Sequence, residues 1–80
     1  MQLNLYTRRG CHLCEDMQET LAEFSEEMGF SVREIDIDQD PVLRDRYNTL
    51  VPVLAVGETE ICHYYLDKVA LEQALQTNAT

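Results

Sequence analysis

The chain has 80 residues and a formal net charge of −9, from fifteen acidic residues against six Lys and Arg. A chain this short is expected to form one domain, residues 1–80, around a compact core. Because its negative charge repels phosphate backbones and anionic lipid surfaces, we expect no nucleic acid and no membrane among its partners.

The first half of the chain predicts a strand, a helix and a second strand. Polar and apolar residues alternate from Gln2 to Tyr6, as in a short strand that runs into a loop. From about Cys14 to Met28 the apolar positions follow helical spacing, and Gly29 ends this amphipathic helix. Phe30 to Ile37 then predicts the second strand.

Two residues that favour helix starts predict the remaining helices. Asp40 is an N-cap residue followed by Pro41, which fits a first helical turn, and this short helix is expected to end at about Tyr47. Asp67 caps a last helix in the same way. That helix has one broad apolar face, formed by Val69, Ala70, Leu71, Ala74 and Leu75.

Two short apolar runs, 53–56 and 59–62, predict an antiparallel hairpin because only Gly57 and Glu58 separate them. The full order is therefore β-α-β-α-β-β-α. Strands joined by a helical crossover lie parallel, and the hairpin adds antiparallel strands. The expected fold class is α/β, a mixed four-stranded sheet covered by helices, similar to the thioredoxin fold in its minimal form.

Cys11 and Cys14 are the strongest chemical signal, because they lie where the first strand ends and the first helix begins. Side chains at positions i and i+3 face the same side, close enough for two sulfurs to join. The unpaired N–H groups and the positive end of the helix dipole favour a thiolate at Cys11, and the thiolate is the attacking species in thiol–disulfide exchange. Cys14 lies one turn deeper and would resolve the mixed disulfide. The pattern predicts a redox-active pair.

A zinc half-site or two buried thiols is the alternative interpretation. Tetrahedral zinc needs two more ligands, and only His12, Cys62 and His63 remain to supply them. Cys62 falls on a predicted strand, where a lone cysteine is usually a small core residue. His12 either stabilises a thiolate when it is protonated or is an exposed spectator.

Cysteine usage and the N-terminus predict the compartment. Three cysteines, only two of them close together, argue against a framework of structural disulfides and suit a reducing cytoplasm. The N-terminus has no basic start followed by a long apolar stretch, and no segment approaches the roughly 20 apolar residues of a membrane span. We expect a cytoplasmic monomer.

The segment Thr49-Leu50-Val51-Pro52 lies immediately before a predicted strand. Together with a cysteine pair at a helix start, it makes the chain resemble a glutaredoxin over essentially all 80 residues. The resemblance implies a cis bond between Val51 and Pro52, although a trans proline is commoner in general. It also implies that the Val51 backbone receives the substrate's cysteine. The implied activity is a glutathione-linked thiol–disulfide oxidoreductase without a tightly bound cofactor, acting on glutathione or protein disulfides.

Other site residues follow from the same resemblance. Glutaredoxins have a lysine three positions before the first active-site cysteine, and here that position is Arg8, which is alternatively a solvated loop residue. Arg8, His12, Leu13 and Asp67 are implied to contact substrate or glutathione. The chain departs from the family in two places: the usual Cys-Pro-Tyr-Cys is Cys-His-Leu-Cys, and the Gly-Gly turn that contacts glutathione is absent near residues 63–66.

A second class of function stays open. The chain is alternatively a thioredoxin-fold binding module, or a carrier of an iron–sulfur cluster held between Cys11 and external thiols. Monothiol glutaredoxins carry clusters in this way, and the second cysteine, Cys14, favours the dithiol enzyme over that role.

Overall fold

The computed structural model describes residues 1–77 of the chain. In this range the order of elements is the β-α-β-α-β-β-α predicted from the sequence, with one 3₁₀ turn added after the second strand. In chain order, the elements are β1 (Gln2–Thr7), α1 (His12–Met28), β2 (Ser31–Asp36), the 3₁₀ turn (Ile37–Gln39), α2 (Pro41–Tyr47), β3 (Val53–Val56), β4 (Thr59–His63) and α3 (Lys68–Thr77).

The four strands form one mixed sheet in the order β2-β1-β3-β4. β1 and β2 are parallel, and β3 is antiparallel to both β1 and β4, so the predicted α/β class and strand directions are confirmed. Tyr6 of β1 pairs with Val53 of β3. Because these strands run in opposite directions, the last residues of β1 and the first residues of β3 lie at the same end of the sheet.

Apolar side chains fill both faces of the sheet, because successive residues of a strand point to opposite sides. The first cluster packs the sheet against α1 and α3, and its buried members are Leu3, Leu5, Met17, Leu21, Phe30, Leu54, Cys62 and Leu71. The second cluster packs the other face against α2, and its buried members are Tyr6, Ile37, Tyr47, Val53 and Ala55. The Tyr6 and Tyr47 rings stack with centroids 4.5 Å apart.

The predicted helix ends are present as hydrogen-bonded caps. The Asp40 carboxylate accepts the N–H of Val42 at 2.9 Å, and the Asp67 carboxylate accepts the N–H of Ala70 at 3.0 Å. Gly29 ends α1 in the left-handed conformation, with φ of 74°. Among residues 1–77, no helix combines the length and apolar character needed to cross a membrane.

The second strand is shorter than the sequence predicts. Ile37 was expected in the strand, but the Asp36 carboxylate accepts the N–H of Asp38 at 2.9 Å and starts the 3₁₀ turn there. This turn directs Ile37 into the second core cluster, where it is completely buried. Burial of Ile37 therefore comes from a turn rather than from strand alternation. The first and last strands each extend one residue beyond their predicted ends, to Thr7 and His63.

Leu71 anchors α3 and is fully buried, so we expect Leu71→Ala to lower the free energy of unfolding by about 2–5 kcal/mol through lost burial and a cavity. Urea denaturation followed by circular dichroism measures this change. Val69→Ala is the control on the exposed side of the same helix, with an expected effect below about 0.5 kcal/mol. Equal effects of the two substitutions would contradict the placement of α3.

Candidate active site

Cys11 is the N-cap residue of α1, the position that precedes the first helical residue. Its backbone is extended, with φ of −96° and ψ of 108°, and its Sγ accepts the N–H of Cys14 at 3.2 Å. Sulfur here takes the place of the Ser or Asp oxygen that usually caps a helix. The Cys11 sulfur therefore lies at the positive end of a 17-residue helix, where N–H donors interact best with a negatively charged acceptor.

The two cysteines of the candidate site differ in exposure, and burial affects the pKa of the deeper one. Cys11 is half-buried, whereas Cys14 is 2% exposed, and both are free thiols in this structure. Burial raises the pKa of the Cys14 thiol to about 12, and a side-chain hydrogen bond with Cys11 acts in the same direction. At neutral pH the Cys14 thiol therefore keeps its proton. The arrangement gives an accessible sulfur for attack and a deeper, protonated sulfur beside it.

A small open cavity of about 290 Å³ lies beside the cysteine pair. The loop between β1 and α1 forms much of its wall, and Gly10 in this loop has a φ of +74°, a conformation that suits glycine. The lining residues are Thr7, Arg8, Arg9, Gly10, Cys11, Cys14, Glu15, Gln18 and Asp36. The structure thus brings Arg8 and both cysteines to one cavity.

Arg8 has a partner that the sequence analysis missed. Its guanidinium binds the Asp38 carboxylate through two contacts, Nη2 to Oδ1 at 2.9 Å and Nε to Oδ2 at 3.1 Å, and Nη1 donates to the Asn48 carbonyl at 3.4 Å. This hydrogen-bonded pairing lowers the pKa of Asp38. Arg8 therefore ties the active-site loop to the segments that follow β2 and α2, and it is not a solvated loop residue. Asp38 lies 30 positions away, so no local pattern could have indicated the contact.

The Val51–Pro52 peptide bond is cis, as the resemblance to glutaredoxins implies. Pro52 is buried, and the Val51 side chain is half-buried against the second core cluster. Within residues 1–77, no hydrogen bond engages the backbone N–H or C=O of Val51. Since Val53 pairs with Tyr6, the segment before β3 lies at the same end of the sheet as the loop that leads to Cys11. The Val51 backbone is thus an open edge beside the active-site loop.

Tyr64 stands in the region where glutaredoxins have a Gly-Gly turn. Its φ is +63°, in the left-handed region that costs a non-glycine residue about 1–2 kcal/mol. Tyr64 helps to line a second groove, of about 370 Å³, which neither Cys11 nor Cys14 lines. The groove's lining residues are Leu13, Asp16, Met17, Thr20, Phe24, Tyr64, Tyr65, Leu66 and Lys68. Leu13 therefore faces a different opening from Arg8, and the two predicted binding residues do not share one cavity.

The remaining predicted residues lie around the pair rather than against it. The His12 side chain is 96% exposed, with Nδ1 3.7 Å from a Glu15 carboxylate oxygen. Asp67 caps α3. Cys62 belongs to the first core cluster, where burial raises the pKa of its thiol.

The zinc interpretation receives no support from the geometry. In the described part of the chain, no three His, Cys, Asp or Glu side chains come together in a way that could hold a metal ion. The two ligands that a site on Cys11 and Cys14 would still need are thus not assembled there.

The exposure of Cys11 and the raised pKa values of the two buried thiols predict selective alkylation. We expect iodoacetamide at pH 8 to modify Cys11 at least about tenfold faster than the two buried thiols, Cys14 and Cys62. Peptide mapping by mass spectrometry at successive times measures the three rates. In denaturant the three rates should converge, which is the control for access. Comparable rates in the folded protein would contradict the assignment of Cys11 as the reactive sulfur.

Solved structures with similar folds include proteins at two levels of sequence identity. Protein Ne2328 from Nitrosomonas europaea is 41% identical, with a TM-score of 0.82, and the match covers 91% of this chain and 88% of that protein. Thioredoxin 1 from Thermosipho africanus is 17% identical, with a TM-score of 0.63 over all of both chains. The second likeness shows the fold alone, which is the thioredoxin fold.

Comparisons of sequence identify the family to which the chain belongs. The protein Mb0520 of Mycobacterium bovis, itself uncharacterized, is 35% identical over 72 residues, which are 84% of this chain and 74% of that protein. Residues 2–76 match the protein family described as Glutaredoxin-like domain (DUF836). The chain therefore belongs to the glutaredoxin-like domain family.

Proposed function

We propose that this protein is a thiol–disulfide oxidoreductase in which Cys11 is the nucleophile and Cys14 the resolving thiol. The observation that supports this proposal best is the position of the Cys11 sulfur, which caps α1 and accepts the N–H of Cys14 at 3.2 Å. A thiolate gains more from this N–H and from the helix dipole than a neutral thiol does. The half-buried Cys11 is the sulfur that a substrate can reach.

The reaction consists of two exchange steps. In the first, the Cys11 thiolate attacks one sulfur of a substrate disulfide, a Cys11–substrate disulfide forms, and the other substrate sulfur leaves as a thiolate. In the second, the Cys14 sulfur attacks Cys11, its proton passes to the departing substrate sulfur, and a Cys11–Cys14 disulfide forms. The substrate disulfide is reduced to two thiols, and the protein dithiol is oxidised. The high pKa of Cys14, about 12, keeps it protonated until this second step.

Glutathione is the electron donor in this proposal. Two glutathione molecules reduce the Cys11–Cys14 disulfide and leave as glutathione disulfide, which restores the dithiol. Arg8 and Arg9 line the cavity beside Cys11. Arg8 is paired with Asp38, and the exposed Arg9 offers positive charge to a glutathione carboxylate in an otherwise acidic protein. Val51, with its open backbone, and Asp67, at the start of α3, are the further binding residues that we propose. The proposed setting is a cytoplasmic monomer.

Cys14→Ser tests the mechanism, because removal of the resolving thiol blocks the second step. We expect this variant, treated with glutathione disulfide, to accumulate one glutathione per chain on Cys11, detected by peptide mapping. Cys62→Ser is the control, since Cys62 is a core residue and its variant should form the Cys11–Cys14 disulfide as the unmodified protein does. A Cys14→Ser variant that forms no adduct on Cys11 would refute the dithiol mechanism.

A turnover assay tests the donor. A glutathione mixed disulfide serves as substrate, and the rates with glutathione plus glutathione reductase are compared with those in a thioredoxin reductase system. We expect faster turnover with glutathione, and a rate at background for Cys11→Ser in both systems. Turnover only with thioredoxin reductase would keep the oxidoreductase and overturn glutathione as the donor.

A further inference from the structure

Tyr64 holds both ends of the loop formed by residues 49–52. Its phenol O–H donates to the Thr49 carbonyl at 2.7 Å, and its backbone N–H donates to the Pro52 carbonyl at 3.0 Å. Val51, the residue whose backbone is open, lies between these two anchored carbonyls. A single residue of the segment after β4 thus spans the loop that presents the Val51 edge.

The strained backbone of Tyr64 indicates that its side chain makes contacts at this position that a glycine could not make. Among residues 1–77, Tyr64 is the one non-glycine residue with positive φ, whereas Gly10, Gly29 and Gly57 supply the other three such conformations. Glycine would adopt this conformation without strain. It would also provide the N–H that binds Pro52, but no phenol for the Thr49 carbonyl. Strained residues of this kind persist where surrounding contacts hold them, often at functional sites.

Tyr64 also lines a groove together with residues of α1. One of these is Leu13, the residue immediately before Cys14. Tyr64 is 38% exposed, and its phenol–carbonyl contact lies at the surface. One side chain therefore contacts the loop at one end and borders the cysteine motif at the other.

We propose that Tyr64 is a positioning residue for disulfide substrates: it fixes the 49–52 loop so that the Val51 backbone is presented in one conformation to the backbone of a polypeptide disulfide. The inference rests on the proposed oxidoreductase function. A loop that is already ordered loses less conformational entropy when substrate binds. Because Cys11 is held by α1 and not by this loop, loss of the phenol contact should weaken substrate binding and leave the sulfur's reactivity unchanged.

Tyr64→Phe removes the phenol oxygen and keeps the ring. We expect KM for a glutathionylated peptide to rise about fivefold, the effect of one hydrogen bond, with kcat within about twofold. Hydrogen exchange of the peptide that contains residues 49–53 should become faster. The alkylation rate of Cys11 by iodoacetamide, which makes no contact with the loop, should not change.

Tyr65→Phe is the matched control, because it removes the same atom from the adjacent tyrosine, which is 71% exposed. We expect it to equal the unmodified protein in KM, exchange and alkylation. Tyr64→Gly is the second variant, since it relieves the backbone strain, keeps the N–H to Pro52 and lacks the ring. Its KM should rise at least as much as that of Tyr64→Phe.

The outcomes separate this inference from the function on which it rests. An unmodified protein that reduces no disulfide overturns both. An active unmodified protein whose Tyr64→Phe and Tyr65→Phe variants share the same KM and loop exchange overturns the positioning role and leaves the oxidoreductase intact. A lower KM in Tyr64→Gly also overturns it, because the ring would then obstruct the substrate. A selective rise in KM together with faster loop exchange supports it.

Discussion

The hydrogen bond from the Cys14 N–H to the Cys11 sulfur is the contact on which the candidate active site depends. It makes one cysteine the cap of α1 and places the other in the first turn of the same helix, so a single local structure fixes both sulfurs. The remaining features support this contact. The core holds Cys14 and keeps it protonated, and the loop after β1 leaves Cys11 accessible at a small cavity. The proposed nucleophile and the proposed resolving thiol thus differ in burial rather than in residue type.

The strand directions complete the site from a distant part of the chain. Because β3 runs antiparallel to β1, the loop that precedes β3 lies at the same end of the sheet as the start of the cysteine motif. Two sets of long-range contacts join the loops at this end of the sheet. Arg8 contacts Asp38 and Asn48, and Tyr64 contacts Thr49. The three partner residues, Asp38, Asn48 and Thr49, all lie in the segment between β2 and β3. The sheet thus provides the frame, and these side chains fix the loops on it.

The sequence predicted those features that depend on short-range patterns. The order of elements along the chain, the helix caps at Asp40 and Asp67 and the cysteine pair at the start of α1 could be recognised because each depends on residues within a few positions of one another. Features that depend on distant partners could not be recognised. The contact between Arg8 and Asp38 was missed because the two residues lie 30 positions apart. Ile37 was placed in a strand, whereas it lies in a 3₁₀ turn that buries it in the second core cluster. The sequence showed that the Gly-Gly turn is absent near Tyr64, but it did not predict the contacts that hold the Tyr64 backbone.

The most direct test of the account is whether the Cys11 and Cys14 sulfurs join reversibly in the folded protein. The protein is equilibrated in buffers of graded thiol-to-disulfide ratio, its remaining thiols are alkylated in denaturant, and its peptides are mapped by mass spectrometry. The account predicts one disulfide, between Cys11 and Cys14, that forms and disappears with the ratio while Cys62 stays reduced. A pair that stays reduced at every ratio, or a disulfide that includes Cys62, would contradict it.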